Sequence, residues 1–307
     1  MKKDQQLQLD FIDTRTHQSV PPEPTMNTTR HAGASLIRSA SSRVILLGRR
    51  RKLDGKQNNA NRGYYRIPAR AGWNDFTWST ATISANEPAT KDANGPLRRV
   101  CVDVGADAAA GYGIPGQFVQ VRMGAEGKPA FLALANAPGK SGCGDGTLEL
   151  LVKSVPGSTA EEVCSSSVGT VVETSPVMGK GFALEGAADG KPNALVFATG
   201  SGISPIRALL TSGALDGKSV RLYYGTANEE ATAFLAESAT WGCETVRVYS
   251  DGSGRHVQDA LKEDIAKGLI DGANAFAVLC GQKEMTDDVK AILAGAGVDE
   301  SAMLMNF

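Results

Sequence analysis

The sequence predicts a two-domain protein in which a small antiparallel Greek-key β-barrel precedes a doubly wound parallel α/β domain. Two observations support this prediction. Residues 96–188 contain short apolar runs separated by glycine and proline, a pattern typical of antiparallel strands. Residues 189–307 alternate β-rich apolar runs with helix-length segments, a pattern typical of a parallel sheet covered on both faces. A chain of 307 residues is long enough for two such domains.

The region before the barrel has a different composition. Between Met26 and Arg70 there are nine Arg, two Lys and one acidic residue, with several Ser. This composition is typical of an organellar transit peptide, and a basic arm that binds nucleic acid or an acidic partner is the alternative. We therefore expect a disordered, transit-peptide-like region over residues 1–70 and a linker over residues 71–95.

Charge and cysteine spacing exclude several classes of function. Residues 71–307 hold 18 basic and 28 acidic residues, a net charge of −10, which argues against nucleic-acid binding. No apolar run reaches the roughly 18 residues that a membrane span needs. The five cysteines are too far apart for a zinc or iron–sulfur site, so no metal is predicted. Their odd number disfavours a disulfide framework and favours a reducing compartment.

The barrel is predicted from five apolar runs with no helix-length periodic segment before about Thr159. Short strands of this kind close naturally into a small Greek-key barrel. The predicted strands are Val100–Val104, Phe118–Val121, Phe131–Ala135, Leu148–Val152 and Val168–Val172.

The α/β domain is predicted from five further β-rich runs, each separated from the next by one helix-length amphipathic segment. The predicted strands are Ala194–Ala198, Val220–Tyr224, Thr245–Tyr249, Ala275–Cys280 and Met303–Phe307.

The stretch FATGSGISPIR, residues 197–207, follows the first of these strands. Gly200 and Gly202 permit positive φ and let a ligand approach the backbone. Ser204 is a good N-cap and Pro205 suits the first helical position. A helix N-terminus at the end of a strand suits a pyrophosphate. A tight turn without a ligand is the alternative, because Pro205 replaces the third glycine of the dinucleotide fingerprint.

A second glycine turn follows the fourth strand, in VLCGQKEM, residues 278–285. Gly281 ends the strand, and Thr286, Asp287 and Asp288 mark the start of the next helix. Ligands of open α/β sheets bind along the carboxyl edge, so the two turns are expected to serve one site. Cys280 alone would more often be a small buried apolar residue.

Seven segments, in this order along the chain, resemble the ferredoxin–NADP⁺ reductase-like flavoproteins and, within them, a plastid branch of plant fruit proteins. The resemblance implies an FAD-binding barrel over residues 96–188, an NAD(P)-binding domain over residues 189–307, FAD and NAD(P)H as cofactors, and the chloroplast stroma as compartment, with the mitochondrion second. The segments are GQFVQVR (116–122), LELLVKSVPGST (148–159), SPVMGKGF (175–182), ATGSGISPIRALL (198–210), LYYG (222–225), VLCGQKEM (278–285) and the terminal Phe307.

The family's flavin motif, Arg-x-Tyr-Ser/Thr, is absent from this chain. Ala130, Leu132 and Ala133 stand where Arg, Tyr and Ser are expected. The resemblance then implies that Leu132 packs against the flavin ring and that Lys128 or Asn136 replaces some polar contacts.

The resemblance also implies a short helix at the flavin diphosphate, beginning at Ser158, Thr159 and Ala160. A plain strand followed by a loop is the alternative. The predicted flavin-binding residues are Leu132, Ala133, Leu134, Leu151, Val152, Lys153, Ser158 and Thr159.

On the nicotinamide side, the resemblance implies catalytic positions at Cys280 and at Phe307, a displaceable aromatic or alternatively an ordinary edge-strand residue. Asp251 stands where the family places an Arg for the 2′-phosphate, which favours NADH, whereas Arg255 and His256 would favour NADPH. For His256, a solvated loop residue is the alternative. The predicted nicotinamide-binding residues are Gly200, Ser201, Gly202, Ser204, Pro205, Ser250, Arg255, Gly281 and Met285.

The implied function is transfer of a hydride from NAD(P)H to FAD and of electrons to a further acceptor, which a redox protein would provide. Two alternatives remain open at this point. One is a flavin-free NAD(P)-binding regulatory protein, which the lost flavin motif favours, and the other is a structural subunit of an organellar complex.

Overall fold

A computed structural model of the chain describes residues 76–306, and their first half is an antiparallel sheet of six strands. The strands are β1 (Ser79–Pro88), β2 (Leu97–Asp103), β3 (Phe118–Arg122), β4 (Ala130–Ala133), β5 (Thr147–Lys153) and β6 (Val171–Thr174). They pair in the order β4-β3-β6-β1-β2-β5. A bridge between Leu134 and Leu150 joins the two ends, so the sheet closes into the predicted barrel.

Every second side chain along the strands points into the barrel and fills its interior. On β5, Leu148, Leu150 and Val152 point into the interior, where they are buried among residues such as Val100 and Val121. The intervening residues of β5 point outward, toward the second domain. Two short helices complete the barrel: α1 (Ala106–Ala109) and α2 (Thr159–Ser165).

The predicted linker over residues 71–95 is wrong for Ser79–Pro88, which form β1 at the centre of the sheet. Ala81 and Ile83 are buried while their polar neighbours are not, so the strand has the expected alternation. Its many Thr, Ser and Asn residues concealed that alternation. Residues 1–70 and 71–75 lie outside the described residues.

The last barrel strand lies further along the chain than Val168–Val172. Gly169 has φ +91°, so a turn occupies the start of the predicted range, and Val168 is 63% exposed. The strand begins only at Val171.

The cysteine prediction is also corrected. Cys101 on β2 and Cys143, in the loop before β5, form a disulfide with a Cα–Cα distance of 6.3 Å. Cys164, Cys243 and Cys280 are free. The 42-residue separation of the pair gave no local spacing from which the sequence could predict it.

The second half is a parallel five-stranded sheet. Its elements are β7 (Asn193–Thr199), α3 (Ile203–Ser212), β8 (Ser219–Thr226), β9 (Glu244–Tyr249), α4 (Val257–Ala266), β10 (Ala275–Cys280), α5 (Lys283–Gly295) and β11 (Met303–Met305). The strand order is β11-β10-β7-β8-β9, and α3 covers one face while α4 and α5 cover the other. The predicted doubly wound domain is confirmed.

The connection between β8 and β9 differs from the predicted helix. It contains one 3₁₀ turn, Glu237–Thr240, and no α-helix. Phe234 has φ +55°, which interrupts any helical path, and its ring is buried in the core beside α3. Among residues 76–306, no helix is long and apolar enough to cross a bilayer.

Candidate active site

The two glycine turns lie side by side at the carboxyl edge of the parallel sheet. Strands β7 and β10 are neighbours, with Ala198 paired to Cys280. A 3₁₀ turn, Gly200–Gly202, follows β7, and Gly281 follows β10. Because the connections from these two strands leave in opposite directions along the sheet, the turns border the crevice where such folds bind ligands.

The glycines are needed because the two turns touch. A Cβ built on Gly202 would lie 2.3 Å from the carbonyl oxygen of Cys280. A Cβ on Gly281 would lie 2.1 Å from the Thr199 hydroxyl, which also accepts a hydrogen bond from the Gln282 N–H at 3.2 Å. Of the three glycines Gly200, Gly202 and Gly281, only Gly200 combines a positive φ, +52°, with open space around its Cβ position.

Helix α3 begins two residues earlier than predicted. Gly202 occupies the N-cap position and Ile203 is the first helical residue, so Ser204 and Pro205 lie inside the first turn. Ser204 does not cap the helix. Its hydroxyl instead donates to the carbonyl of Ala133 on β4, at 2.9 Å, and so ties the helix start to the barrel.

Helix α5 also begins earlier than predicted. Gln282 precedes its first residue, Lys283. Thr286 lies in the second turn, where its hydroxyl donates to the Lys283 carbonyl. Both helices therefore start directly behind their glycine turns, with their N-termini close to the crevice.

Strand β4 forms the opposite wall of the crevice. Phe131 and Ala133 point outward, opposite Gln120 and Phe118 of β3, and Phe131 is 54% exposed. The Phe131 ring lies 5.9 Å from the Phe118 ring. Leu132, the residue expected to contact a flavin, is largely buried with the barrel core and reaches the crevice only at the edge of the sheet.

The two walls border one open cavity of about 900 Å³, a size typical of small-molecule sites. Fourteen predicted site residues line it. They are Leu132, Ala133, Leu151, Lys153, Gly200, Ser201, Gly202, Ser204, Pro205, Ser250, Arg255, Cys280, Gly281 and Met285.

Four predicted residues do not line this cavity. Leu134 and Val152 are fully buried inside the barrel, because strand alternation turns them away. The hydroxyls of Ser158 and Thr159 donate to the carbonyls of Val155 and Lys128, so they are engaged within the protein. Of the predicted helix start, only Ala160 reaches the cavity. Phe307 lies outside the described residues.

The far end of the cavity lies beside the start of α4. Ser250 and Arg255 line it, as does His256, which the sequence favoured only as a determinant of NADPH binding. The Arg255 guanidinium donates to Glu263 at 2.7 Å. The Asp251 carboxylate accepts a hydrogen bond from Asn228 at 2.8 Å and is not part of the cavity wall.

Cys280 is the only cysteine among residues 76–306 that lines the cavity, and it is 8% exposed. Burial raises the pKa of its thiol to about 12, so the thiol is neutral at physiological pH. It can therefore act as a small packing group, but not as a thiolate nucleophile.

Sequence reasoning missed several lining residues. Phe131 and Thr199 are the most informative of them. The alternation of β4 was a usable signal for Phe131, since the outward face of an edge strand contains every second residue. Thr199 had no signal in the sequence, because its role depends on the contact between two turns. Other missed lining residues are Ala130, Gly225, Thr226, Ala227, Val248, Val257, Gln258, Gln282 and Glu284.

No cluster of three or more His, Cys, Asp or Glu side chains within residues 76–306 is arranged to hold a metal ion. The cavity is lined by backbone, apolar and hydroxyl groups together with a few charged side chains, among them Lys153, Arg255 and Glu284.

Comparisons with known proteins agree with this architecture. Residues 196–291 match the family model of the oxidoreductase NAD-binding domain. The chain is 30% identical over 252 residues to fruit protein pKIWI502 of Actinidia deliciosa, covering 75% of this chain and 77% of that protein.

Solved structures share the fold at lower identity. The ferredoxin NADP⁺ reductase of Neisseria gonorrhoeae, solved with bound FAD and NADP, superposes with a TM-score of 0.62 at 17% identity, over 74% of this chain and 97% of that one. The ferredoxin-NADP⁺ reductase of Plasmodium falciparum gives 0.60 at 16%, over 75% and 96%. The flavohem-like FAD/NAD-binding domain of nitric oxide dioxygenase from Vibrio cholerae gives 0.59 at 20%, over 74% and 97%.

Proposed function

The chain belongs to the ferredoxin–NADP⁺ reductase-like family, and from this premise we propose that it is a flavin-dependent oxidoreductase that uses NAD(P)H to reduce a bound FAD. The observation that carries the proposal is the shared cavity. The barrel and the α/β domain each contribute one wall to it, so two ring systems can be held face to face in one space.

The α/β wall fits a nicotinamide dinucleotide. Gly200–Gly202 and Gly281 leave the backbone bare, and the 3₁₀ turn and the start of α3 place the positive end of a helix beside the cavity, which favours a diphosphate. Ser250, Arg255 and His256 lie where the adenosine end would extend, and they provide hydroxyl, cationic and imidazole groups for either NADH or NADPH.

The barrel wall fits a flavin by shape and polarity, although the Arg-x-Tyr-Ser/Thr motif is absent. Phe131 presents a half-exposed aromatic ring, and Leu132, Ala133 and Leu151 add apolar surface. Lys153 is the exposed cation on this wall and suits the diphosphate. We propose that Phe131 and Lys153 take over the stacking and charge that the motif's Tyr and Arg would supply.

When bound, FAD supplies the ability to accept a hydride and release electrons singly or in pairs. The protein's own residues position and shield. The contact between the Gly202 and Gly281 turns fixes the backbone that holds the nicotinamide, and the neutral Cys280 leaves a small uncharged surface beside it. With both cofactors bound, the apolar side chains of β4 would exclude water from the facing side.

For the electron acceptor we propose a redox protein. The net charge of −10 over residues 71–307 disfavours steering toward an acidic ferredoxin, so a partner with a basic docking surface fits better. Reduction of such a partner should slow as salt increases. A rate independent of ionic strength would contradict electrostatic steering.

The experiment that tests the function is a visible spectrum of the purified full chain, followed by titration with FAD and measurement of flavin fluorescence. We expect a yellow protein, or a colourless one that takes up one FAD per chain. A protein that binds NAD(P)H but takes up no FAD would contradict the proposal and favour the flavin-free regulatory role. Recovery only within a large complex would favour the structural-subunit role.

We also propose the chloroplast stroma as the compartment, with the mitochondrion second, on the basis of the Arg-rich composition of residues 26–70. A fusion of residues 1–70 to a fluorescent protein should enter plastids. Retention of that fusion in the cytosol would contradict this assignment.

A further inference from the structure

A buried carboxylate lies at the junction of the two domains. Glu149 is on the outward face of β5, and its side chain is 1% exposed. Its Oε2 accepts hydrogen bonds from Arg99 of β2 at 3.0 Å and from Arg207 of α3 at 3.1 Å. Its Oε1 accepts from the Gly142 N–H. Both oxygens are therefore satisfied, and one of the two arginines comes from the other domain.

Arg207 connects this carboxylate to the nicotinamide side of the cavity. It lies one helical turn after Ser204, and its guanidinium also donates to the Ala135 carbonyl at 2.8 Å and to Glu237 at 2.7 Å. Ser204 itself donates to Ala133. The first two turns of α3 are thus attached to the segment that contains β4 at two successive points.

The Glu149 side chain that makes this attachment is ionised. Burial raises the pKa of Glu149, but the hydrogen bonds and charges of Arg99 and Arg207 and the Gly142 N–H outweigh burial and hold the pKa below its ordinary value. The carboxylate is therefore charged, and removing that charge leaves Arg207 buried with one partner fewer. A rigid fork such as guanidinium defines geometry better than apolar contact does.

We propose that Glu149 is a positioning residue which, through Arg207, sets the placement of the start of α3 against strand β4 and thereby the approach of the two cofactor rings. This inference rests on the proposed function. Glu149 does not line the cavity, so it acts only through the elements it holds.

A second buried ion pair provides the matched control. Asp264 of α4 accepts from Arg221 at 2.6 Å and from the Tyr223 hydroxyl at 2.8 Å, both on β8, and its side chain is 8% exposed. This cluster holds a helix on its own sheet, within one domain, and does not border the cavity. Loss of the Asp264 charge should lower stability, as loss of the Glu149 charge should. It should leave the placement of α3 unchanged.

The test compares Glu149→Gln with Asp264→Asn in the FAD-loaded full chain. For Glu149→Gln we expect dissociation constants for FAD and NAD(P)H within about threefold of wild type and a rate of flavin reduction at least about tenfold lower. Asp264→Asn should lower Tm yet reduce its flavin within twofold of the wild-type rate. Glu149→Asp, which retains the charge, should recover part of the lost rate.

Hydrogen exchange of the chain without FAD gives a readout independent of activity. In Glu149→Gln, amides of α3 should exchange at least about tenfold faster while those of β7 do not change. Asp264→Asn should leave α3 unchanged.

Equal reduction rates in Glu149→Gln and wild type, or equal slowing in the two variants, would overturn the inference. If Glu149→Gln does not fold, Arg207→Lys decides in the same assays, because it keeps the charge and loses the fork. A wild-type protein whose FAD is not reduced would instead refute the proposed function.

Discussion

The two walls of the cavity are built by different means. The α/β wall is formed mainly by backbone, in two glycine turns that touch and at the starts of two helices. The barrel wall is formed mainly by side chains, namely the half-exposed Phe131 and the alternating residues of β4 and β5. A binding surface formed by backbone is sensitive to substitution at its few glycine positions. A binding surface formed by side chains can lose a sequence motif, here Arg-x-Tyr-Ser/Thr, and still keep the shape of the cavity.

The largest effect is expected from Gly202→Val, which tests whether contact between the two glycine turns forms the α/β wall. The new Cβ would lie 2.3 Å from the Cys280 carbonyl, and overpacking of this kind costs roughly 1–3 kcal/mol. We expect nicotinamide affinity to fall about 10- to 100-fold, measured by titration, while FAD affinity changes little. The reason is that the added side chain would push the Gly202 turn away from the Gly281 turn.

Gly200→Ala is the matched control. Its Cβ meets no neighbouring atom, so only the positive φ, +52°, is penalised, by about 1 kcal/mol. The expected loss is about fivefold. If the two variants lose affinity equally, contact between the turns does not explain the glycines.

A smaller effect is expected on the barrel wall, from Phe131→Ala. Loss of the aromatic face should weaken FAD binding roughly tenfold, with nicotinamide affinity unchanged. Flavin fluorescence titration measures this directly.

Val171→Ala truncates another exposed apolar side chain, 60% exposed, that does not border the cavity. It should leave FAD binding as it is. Unaltered FAD affinity in Phe131→Ala would mean that β4 does not contact the flavin.

The last effect is absent at neutral pH and concerns Cys280, a side chain on the α/β wall. Burial raises the pKa of Cys280 to about 12, against about 8.5 in an unfolded chain. The unfolded state therefore loses its proton first, and the wild type loses stability relative to Cys280→Ser as pH rises above about 8.5, by about 1.4 kcal/mol per pH unit.

Denaturant unfolding at several alkaline pH values measures this difference. The rate of flavin reduction should show no Cys280 ionisation between about pH 7 and 10, since the thiol is neutral throughout that range. A rate that rises with a thiol pKa inside that range, and is lost in Cys280→Ser, would give Cys280 a chemical role.

The sequence predicted what depends on local pattern. Strand β10 was predicted at its observed limits, and both glycine turns lie where Gly200, Gly202 and Gly281 placed them. Strand β1 was missed because its polar residues hid the alternation around Ile83. The family motif assigned Leu132 to the flavin. In the structure, the pairing of β4 with β3 directs Phe131 to the outer face of the barrel, next to the cavity.

Contacts between residues far apart in the chain could not be predicted from the sequence, for a physical reason. The pairing of Glu149 with Arg207, of Ser204 with Ala133, and of Cys101 with Cys143 joins residues 42 to 71 positions apart. No periodicity in one segment reports a partner in another, so only the assembled fold reveals these contacts.

If one cavity holds both cofactors, NADH or NADPH mixed with the FAD-loaded protein without oxygen should reduce the flavin. We expect rapid bleaching of the flavin's visible absorbance by at least one of the two dinucleotides, with one reduced nicotinamide consumed per FAD. Tight binding of FAD and of a nicotinamide without bleaching would contradict a shared cavity, because the two cofactors would then occupy separate sites.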